Sequence, residues 1–598
     1  MKLCSGYPQS AEASGSRPPA QGFQLLCKAA AVAIAGCLAL ASGDALAQPQ
    51  PAGSIGSAAC QALNGKTVQA ALIGEPTSGA VVVSATYKAA VADTPNPAGN
   101  AIIQGTPDYC EVLVEIKPVD PAAPAIKVQV NLPTNWNGKK LQFGGGGYNG
   151  VLITGVQPSR GAGPEVPLPL AQGYLTTGTD SGHQNSQDVH PAAFALNQEA
   201  LTNHAYAAYK KTNDVAMELA LVYYGRKPAR NYYMGGSEGG REGLLIAQRY
   251  PADFDGIVAI DPVINTTGLW TFQNSFGGLQ RAPGSWLGKK AQQVHDTVVD
   301  ACDRLDGIAD SVVSNYKACT APVVMAAFTG KRCASGADEA VTCFSDGELN
   351  ALKAVYTGYT FPFVLANGVR SYPGYVPGSE LVPVNFTRWV TGTTAPTSDP
   401  DARGAGGNYQ YGSWYVRYFV ARDPNFDALT YDPAAFKDRV LELSNLLDSN
   451  QPDLTAFHNR GGKLILRQNL ADKGQSAMSG LSYRDAVVAR MGQSKVDDFF
   501  AAYVATGLGH TANGYDAGTV NAPSYGIPGR IDLLAPLEAW VEKGIKPPDQ
   551  LTLVNRQPLP PYNVVASKPM CRSGSYPKFI GSGSAGGDRA ENYRCVGE

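Results

Sequence analysis

The chain has 598 residues, with 48 basic and 50 acidic side chains and a net charge of −2. This length allows a large buried core and predicts two domains, and the balanced charge leaves no basic stripe of the kind that binds nucleic acid. The 67 glycines, 42 prolines and 29 tyrosines are typical of a loop-rich globular protein with polar-tipped aromatic side chains for a cleft.

The first 47 residues are predicted to be an export signal. Ala29–Ala41 is an apolar segment, and Ala45–Ala47 is a small-residue cleavage site of the A-x-A type. The apolar segment is too short to cross a bilayer, and no later run is long enough, so we expect no membrane span. The protein is therefore predicted to be secreted or periplasmic, and a lipoprotein attached through Cys37 is the alternative.

Eight cysteines follow the signal, and an even number in an oxidising compartment predicts four disulfides. Eight cysteines can pair in many ways, so the pairing stays open. Proximity along the chain and isolation at its two ends favour Cys60–Cys110, Cys302–Cys319, Cys333–Cys343 and Cys571–Cys595.

Predicted strands and helices alternate between residues 125 and 260. The strands are Ala125–Leu132, Lys140–Phe143, Tyr174–Thr179, Asn231–Met234 and Gly256–Ile260, and the helices are Asn203–Tyr224 and Gly239–Arg249. This alternation predicts an α/β fold with a mostly parallel sheet covered on both faces.

A glycine run, Gly144–Gly147, follows the second of these strands directly. Glycine lets backbone N–H groups approach a substrate closely, and many esterases place an oxyanion donor at this point of the chain. We expect the Gly147 N–H to be that donor. The alternative is a flexible glycine-rich turn.

A nucleophile motif lies where the fourth strand meets its helix. Residues 235–239 read Gly-Gly-Ser-Glu-Gly, which matches G-x-S-x-G in the strand–turn–helix setting that the motif requires. Ser237 is then the predicted nucleophile, and the N–H of Glu238, at the start of the helix, is the second predicted oxyanion donor. The alternative is an ordinary strand–helix turn.

The alternation stops after residue 265 and resumes near residue 461. The intervening segment holds two of the favoured disulfides and many Tyr and Trp residues, which indicates an inserted lid domain. The predicted organisation is an α/β-hydrolase core with a lid: signal 1–47, core 48–265, lid 266–455 and core 456–598.

The acid and base of the site are predicted from chain order. Hydrolases of this topology carry serine, acid and histidine in that order, and Asp472 follows the strand at 461–466. Of the six histidines, only His510 comes after Asp472, so these two residues complete a triad with Ser237. His183, which precedes the serine, is predicted to be structural.

An acidic loop lies inside the predicted lid. Asp303, Asp306 and Asp310 fall within eight residues, with Gly307 available for a sharp turn. Three close carboxylates repel one another unless a cation neutralises them, and oxygen ligands suit Ca²⁺. The spacing is not that of an EF-hand, and a solvated acidic loop is the alternative.

Taken together, these motifs resemble the tannase and feruloyl esterase family of α/β-hydrolases over most of the chain. Residues 235–243 are similar to its G-C-S-x-G-G-R-x-G, residues 459–472 to its R-G-G-K-x-I-x-x-x-G-x-x-D, and residues 302–310 to its calcium loop C-D-x-x-D-G-x-x-D. The resemblance implies a structural Ca²⁺ that braces the lid, held by the carboxylates and carbonyls of Asp303, Asp306, Ile308, Asp310 and Val312.

Two departures from the family pattern bear on function. The family has a cysteine before the nucleophile, bridged to one after the histidine, whereas Gly236 and Thr511 stand at these positions. Members that cleave terephthalate monoesters carry an arginine before a Ser-Trp pair, whereas Gly412 precedes the pair here. Trp414 and the nearby Arg417 are therefore predicted to contact substrate, with Arg417 as a possible substitute for the missing arginine.

The resemblance implies a secreted serine carboxylic-ester hydrolase acting on small esters of aromatic, feruloyl-type acids through an acyl-enzyme. Tannase or terephthalate-monoester hydrolase activity is the first alternative. A calcium-stabilised surface binding protein without catalysis is the second, because the family's tether at the histidine is missing. The sequence predicts no oligomeric state.

Overall fold

The computed structural model describes residues 55–382, 385–510, 514–582 and 586–597, so the predicted signal lies outside it. A twelve-stranded sheet runs in the order β1-β2-β3-β4-β6-β5-β7-β8-β9-β10-β12-β11. Its strands, numbered along the chain, are β1 Thr67–Val68, β2 Ala80–Lys88, β3 Tyr109–Ile116, β4 Ile126–Pro133, β5 Lys139–Phe143, β6 Leu175–Thr179, β7 Arg230–Gly236, β8 Gly256–Ile260, β9 Lys463–Asn469, β10 Phe500–Ala505, β11 Gln550–Arg556 and β12 Val564–Arg572.

Six neighbouring strands in the middle of the sheet, β6-β5-β7-β8-β9-β10, are parallel to one another. The strands on either side pair antiparallel. The predicted α/β fold with a mostly parallel sheet is confirmed for this central part, and the antiparallel flanks make the whole sheet mixed.

Some of the α-helices cover the two faces of the parallel strands, and others lie elsewhere in the described chain. The α-helices are α1 Ser57–Gln61, α2 Gln198–Thr202, α3 Ala208–Tyr224, α4 Glu238–Arg249, α5 Thr266–Arg281, α6 Ala291–Cys302, α7 Ala321–Gly330, α8 Asp346–Thr357, α9 Gly407–Trp414, α10 Lys437–Leu447, α11 Thr455–Asn459, α12 Ala477–Met491, α13 Gln493–Phe499 and α14 Leu534–Lys543. Three segments have wider π-type turns. Asn203–Ala207 lies between α2 and α3, Thr387–Thr391 precedes α9, and Tyr415–Ala421 follows α9 directly.

The side chains of β7 show how alternation builds the two layers. Tyr232 and Met234 pack in the core on the α14 side of the sheet, with Leu537 and Trp540. Tyr233, which points the other way, packs in the core that α4 and α12 contribute to. Burial on both faces is why this strand is apolar at consecutive positions.

The segment from residue 266 to residue 455 contributes no strand to the main sheet among the described residues. It contains α5 to α10 and a two-stranded ribbon, Gly358–Thr360 with Ser371–Pro373. A separate apolar cluster fills it, with Phe272, Val355 and Leu443 among its buried members. The domain boundaries given above remain a prediction.

Four disulfides join the eight cysteines in the pairs that proximity and isolation favour: Cys60–Cys110, Cys302–Cys319, Cys333–Cys343 and Cys571–Cys595. Each is expected to stabilise the fold by about 2–4 kcal/mol, mainly by restricting the unfolded chain. Across the described ranges, no helix is both long and apolar enough to span a membrane.

Candidate active site

Ser237 occupies a tight elbow between β7 and α4. Its backbone has φ 59° and ψ −122°, a conformation that side-chain-bearing residues rarely adopt and that is held here by the bond from its N–H to the Ile260 carbonyl, 2.8 Å. The flanking glycines are needed for space. A Cβ on Gly235 would overlap the backbone of Gly239, and one on Gly239 would lie 2.8 Å from the Gly145 carbonyl oxygen.

His510 lies between Ser237 and Asp472. Its Nε2 is 2.8 Å from Ser237 Oγ, and its Nδ1 is 2.7 Å from Asp472 Oδ2. Residues far apart in the chain meet here because β7, β9 and β10 are parallel neighbours or near neighbours, so their carboxyl ends lie at one edge of the sheet.

The Asp472 carboxylate is held in place by donors from its own loop. Gly474 N–H and Gln475 N–H donate to Oδ1 at 2.7 and 3.1 Å, and the Gln475 side chain donates to Oδ2 at 3.0 Å. The loop also fits closely around the imidazole, because a Cβ on Gly474 would lie 2.9 Å from His510 Cγ.

The loop that carries His510 is anchored without a disulfide. Asn469 Nδ2 donates to the Gly509 carbonyl at 3.0 Å, and the Gly509 N–H donates to the Tyr515 hydroxyl at 3.2 Å. Trp389 packs its ring against the imidazole at 5.2 Å between centroids, edge to face. These contacts restrain the histidine where the family pattern has a tether; Thr511 itself lies outside the described residues.

The net effect of the surroundings of His510 is to raise its pKa, which makes it a stronger base. Burial acts to lower the pKa of His510, but the charge and hydrogen bond of Asp472 outweigh it and raise that pKa above 6.5. A second buried carboxyl, Asp261, accepts bonds from the backbone and side chain of Asn469. Burial and the neighbouring charge of Asp472 raise the pKa of Asp261 to about 7.

Two backbone N–H groups near the serine make no hydrogen bond to the described chain, namely those of Gly147 and Glu238. Gly147 has φ +63°, which glycine adopts without strain, and it lines the same cleft as Ser237. The Glu238 side chain accepts a hydrogen bond from Arg241 Nε at 2.8 Å. Its backbone N–H is therefore the group that could contact a substrate. Free N–H groups of this kind can stabilise an oxyanion.

A cleft of about 410 Å³ opens above Ser237 and His510. Most of the residues that line it are aromatic residues or glycines, and two are arginines. The described residues that line it are Gly146, Gly147, Arg160, Ser237, Val263, Trp270, Asn385, Arg388, Trp389, Tyr411, Gly474, His510 and Tyr515.

Trp414 and Arg417, the predicted substrate contacts, are not among the described residues that line this cleft. The Arg417 guanidinium donates to the carbonyls of Phe426 and Ser398, each at 2.9 Å. Trp414 Nε1 donates to Asp401 Oδ1 at 2.7 Å, and its ring contacts that of Tyr411 with centroids 5.1 Å apart. The chain turns through a π-type segment after Trp414, which changes the direction of the side chains that follow.

Sequence reasoning did not single out Arg160, Trp389, Tyr411 or Tyr515. They come from a loop, a π-type turn, helix α9 and a short strand that are far apart in the chain, and they share no motif, so no spacing could have grouped them. His183, predicted to be structural, stacks on Phe194 at 3.9 Å and is not in the cleft lining. Burial lowers the pKa of His183 to about 4, so it is neutral at physiological pH.

The acidic loop lies between α6 and the disulfide partner Cys319. Backbone N–H groups donate to Asp303 Oδ1 and Asp306 Oδ2, each at 3.2 Å, and to Asp306 Oδ1 and Asp310 Oδ1 at 3.3 and 3.1 Å. The carbonyls of Ile308 and Val312 accept no hydrogen bond from the described chain. Burial raises the pKa of Asp306 to about 6. Buried carboxylates with open carbonyls are a donor set that Ca²⁺ prefers.

One protein cation also faces this loop. Lys568 Nζ, from β12, is buried and lies 3.5 Å from Asp310 Oδ2, which also accepts from the Tyr525 hydroxyl at 2.9 Å. Three carboxylates and one ammonium carry a net charge of −2. A divalent cation would balance that charge, so the residues present are compatible with one.

The sheet order and the elbow serine, bonded to histidine and through it to aspartate, define an α/β-hydrolase. Comparison with known proteins narrows this class. The chain belongs to the tannase and feruloyl esterase family, whose model matches residues 110–596, and it is a carboxylic ester hydrolase. The predicted family is thereby confirmed.

Individual relatives agree with this assignment. An uncharacterized esterase of Agrobacterium fabrum is 34% identical over 92% of this chain and 95% of its own length. Mono(2-hydroxyethyl) terephthalate hydrolase of Piscinibacter sakaiensis is 27% identical over 90% of this chain and 92% of its own. The crystal structure of feruloyl esterase B from Aspergillus oryzae has a TM-score of 0.70 at 23% identity, covering 90% of this chain and all of that one.

Proposed function

We propose that this esterase is a secreted serine hydrolase that cleaves esters of aromatic, feruloyl-type acids through an acyl-enzyme on Ser237. The observation that carries the proposal is the continuous hydrogen-bonded chain from Ser237 through His510 to Asp472, at 2.8 and 2.7 Å. A serine is a weak nucleophile unless a neighbouring base removes its proton, and this geometry supplies that base.

In the first step, Ser237 Oγ attacks the ester carbonyl while His510 Nε2 takes its proton. Asp472 stabilises the resulting imidazolium and keeps Nδ1 as the protonated nitrogen. The N–H groups of Gly147 and Glu238 donate hydrogen bonds to the negative charge that develops on the carbonyl oxygen. His510 then gives its proton to the leaving alcohol, and an acyl-enzyme remains.

In the second step, a water molecule attacks the acyl-enzyme and His510 acts again as the base. The same oxyanion donors stabilise the second tetrahedral intermediate. Collapse returns the proton to Ser237 and releases the acid. No residue outside the described site is required for this sequence.

The aromatic acyl group is supported by the cleft lining. Trp270, Trp389 and Tyr411 present ring surface beside Ser237, and Trp270 stacks on Tyr411 with centroids 5.4 Å apart. Flat apolar walls favour a planar acyl group over an aliphatic chain. Relatives named feruloyl esterase, such as the probable feruloyl esterase B-2 of Aspergillus terreus at 26% identity, agree with this choice.

Labelling with a serine-directed phosphonate tests the nucleophile. We expect one adduct, on the peptide containing Ser237, and no adduct in Ser237→Ala. Ser186→Ala, at an exposed serine, is the matched control and should label normally. A folded wild-type protein that hydrolyses esters without labelling at Ser237 would contradict the proposal.

A panel of feruloyl, galloyl and terephthaloyl esters separates the proposed acyl group from its alternatives. Terephthalate monoesters are included because one relative is named mono(2-hydroxyethyl) terephthalate hydrolase. Highest kcat/KM on feruloyl esters supports the main proposal, and highest kcat/KM on galloyl or terephthaloyl esters replaces it.

We also propose that Asp303, Asp306, Asp310 and the carbonyls of Ile308 and Val312 hold a structural Ca²⁺. The buried carboxylates, the open carbonyls and the net charge of −2 with Lys568 support it. When bound, the ion would hold the loop together and would supply no chemistry to Ser237. Secretion is proposed from residues 1–47 and agrees with the four disulfides, which persist in oxidising compartments.

A further inference from the structure

Arg160 stands at the junction of two cavities. It lines the catalytic cleft together with Ser237 and His510, and it also lines a neighbouring cavity of about 640 Å³. The second cavity runs beside the carboxyl ends of β5 and β7, where Gly144 and Gly235 form part of its wall. One side chain therefore separates the nucleophile from a larger polar space.

The Arg160 guanidinium has no hydrogen-bond partner in the described chain. Its Nε is buried and unsatisfied, and only its backbone N–H is engaged, by Met234 Sδ at 3.0 Å. Burial lowers its pKa, and the charge of Asp261 acts in the opposite direction without removing that effect. An arginine presents five donors, so a buried one without acceptors is costly unless a ligand provides them.

The position of the guanidinium depends on Gly236, the residue before the nucleophile. A Cβ at residue 236 would overlap Arg160 Nε and would lie 2.9 Å from its Cδ and 3.1 Å from its Cζ. The guanidinium can therefore lie against the elbow only because residue 236 has no side chain.

The neighbouring cavity adds further unsatisfied polar atoms. Gln104 Oε1 and Ser159 Oγ are buried without a partner, and both residues line this space. Arg530 lines it as well, and its side chain makes no hydrogen bond or ion pair with the described residues. Two arginines and several free polar groups around one space favour an anionic, hydrogen-bonding ligand group over an apolar one.

We propose that Arg160 forms a subsite for a carboxylate on the ester substrate, so that this enzyme prefers esters that carry an anionic group near the scissile bond. The inference rests on the proposed serine esterase function and specifies its substrate class. A planar guanidinium pairs with a carboxylate through two parallel hydrogen bonds, and in a partly buried site such a pair is strong.

The other arginine of the catalytic cleft is a poorer candidate. Arg388 is exposed, and its guanidinium lies over the ring of Trp389 at 5.2 Å. A carboxylate at Arg388 would remain in contact with water, which weakens charge pairing. Arg388 therefore serves as the comparison for Arg160.

The test measures kcat/KM on two matched substrate pairs. The acyl-side pair is monomethyl terephthalate and methyl 4-methylbenzoate, and the alcohol-side pair is the benzoyl ester of glycolic acid and propyl benzoate. Wild type, Arg160→Met, Arg160→Lys and Arg388→Met are assayed on all four. Thermal unfolding establishes that each variant is folded.

We expect Arg160→Met to lower kcat/KM about 10- to 100-fold on the anionic member of one pair and less than about threefold on its neutral partner. Arg160→Lys should recover part of the loss. The pair that responds identifies the side of the ester on which the carboxylate lies. Arg388→Met should leave the ratio of anionic to neutral activity unchanged.

Three results would overturn the inference: an equal loss on both members of each pair, no preference in wild type, or a selective loss in Arg388→Met. If wild type turns over none of the four esters, calorimetry still tests the subsite. Terephthalate should bind Ser237→Ala at least tenfold more tightly than it binds Ser237→Ala/Arg160→Met, and equal binding would refute the subsite.

Discussion

The guanidinium of Arg160 lies in the space that a side chain at position 236 would fill, and that position is a glycine. The relationship connects two observations that the sequence leaves separate. Residue 236 is where the family pattern has a bridged cysteine, and its replacement by glycine makes room for a charged group beside the nucleophile. The glycine thus cannot form that bridge, and it leaves the space that the Arg160 side chain fills.

Gly236→Ala should lower kcat/KM on the anionic ester that responds to Arg160→Met, by displacing Arg160. The added Cβ would overlap Nε, so either the guanidinium leaves the elbow or β7 shifts, and overpacking of this kind costs about 1–3 kcal/mol of stability. Kinetics and thermal unfolding measure the two effects. Gly330→Ala is the matched control, because a Cβ there meets nothing within 4 Å. Unchanged kcat/KM on that anionic ester, together with an unchanged Tm, in Gly236→Ala would contradict the packing described.

Replacing members of the proposed triad should have unequal effects. Ser237→Ala is expected to lower kcat by about 10⁴- to 10⁶-fold, since only oxyanion stabilisation and binding remain. Asp472→Asn should lower it by about 10⁴-fold, because the imidazole loses its charge partner and its preferred tautomer. Steady-state rates with circular dichroism as a folding control test this. A triad variant within tenfold of wild type would exclude that residue from the mechanism.

The pH profile of kcat/KM should show an acidic limb, a loss of activity at low pH, set by His510. The histidine must be neutral to accept the proton from Ser237, so activity falls as the pH drops through its pKa. That pKa is raised above 6.5 because Asp472 outweighs burial. We therefore expect the midpoint above 6.5 in wild type. In Asp472→Asn the residual activity should show a lower midpoint, since burial then dominates, and an unchanged midpoint would argue against this pairing.

Chelation should destabilise the protein before it affects chemistry. Removing a bound Ca²⁺ exposes three carboxylates to mutual repulsion, with only Lys568 beside them, and an ion present at a hundred times its Kd contributes about 2.7 kcal/mol. We expect EGTA to lower Tm by several degrees, with turnover falling only as protein unfolds. Asp306→Asn should lower Tm and make it insensitive to EGTA, while exposed Asp485→Asn should behave as wild type. Turnover lost at unchanged Tm would contradict a structural ion.

Gly474→Ala tests how closely the acid loop fits the histidine. A Cβ there would lie 2.9 Å from His510 Cγ, so the imidazole or the loop at residue 474 must shift, and either movement disturbs the contact of His510 with Ser237 or with Asp472. We expect kcat to fall about tenfold or more with little change in KM, because the aromatic walls stay in place. The crystal structure of the variant shows the displacement directly. A normal kcat with the ring unmoved would rule out this constraint.

Much of the fold is predictable from local pattern. Consecutive apolar residues in Gly256–Ile260, alternating with helical segments, indicate buried parallel strands, and the strand–glycine–serine–helix motif places Ser237 at an elbow. Bounds differ by up to three residues, as at β9, where the predicted strand ends at Leu466 and the observed one at Asn469. The antiparallel flanks were not predicted, since short alternating strands carry little information about their partners.

The sequence by itself determined the family, the α/β class, the elbow serine and the identity of a histidine and an aspartate that follow it in order, because chain order and local spacing are properties of one dimension. Only the tertiary structure determined which residues line the cleft. Arg160, Trp389, Tyr411 and Tyr515 meet at the cleft although they are far apart in the chain. Arg417 is close to Tyr411 in sequence, but its guanidinium donates to two backbone carbonyls outside the cleft lining. Which side chains surround a substrate depends on distances through space, and those are set by packing of the sheet and the segment above it.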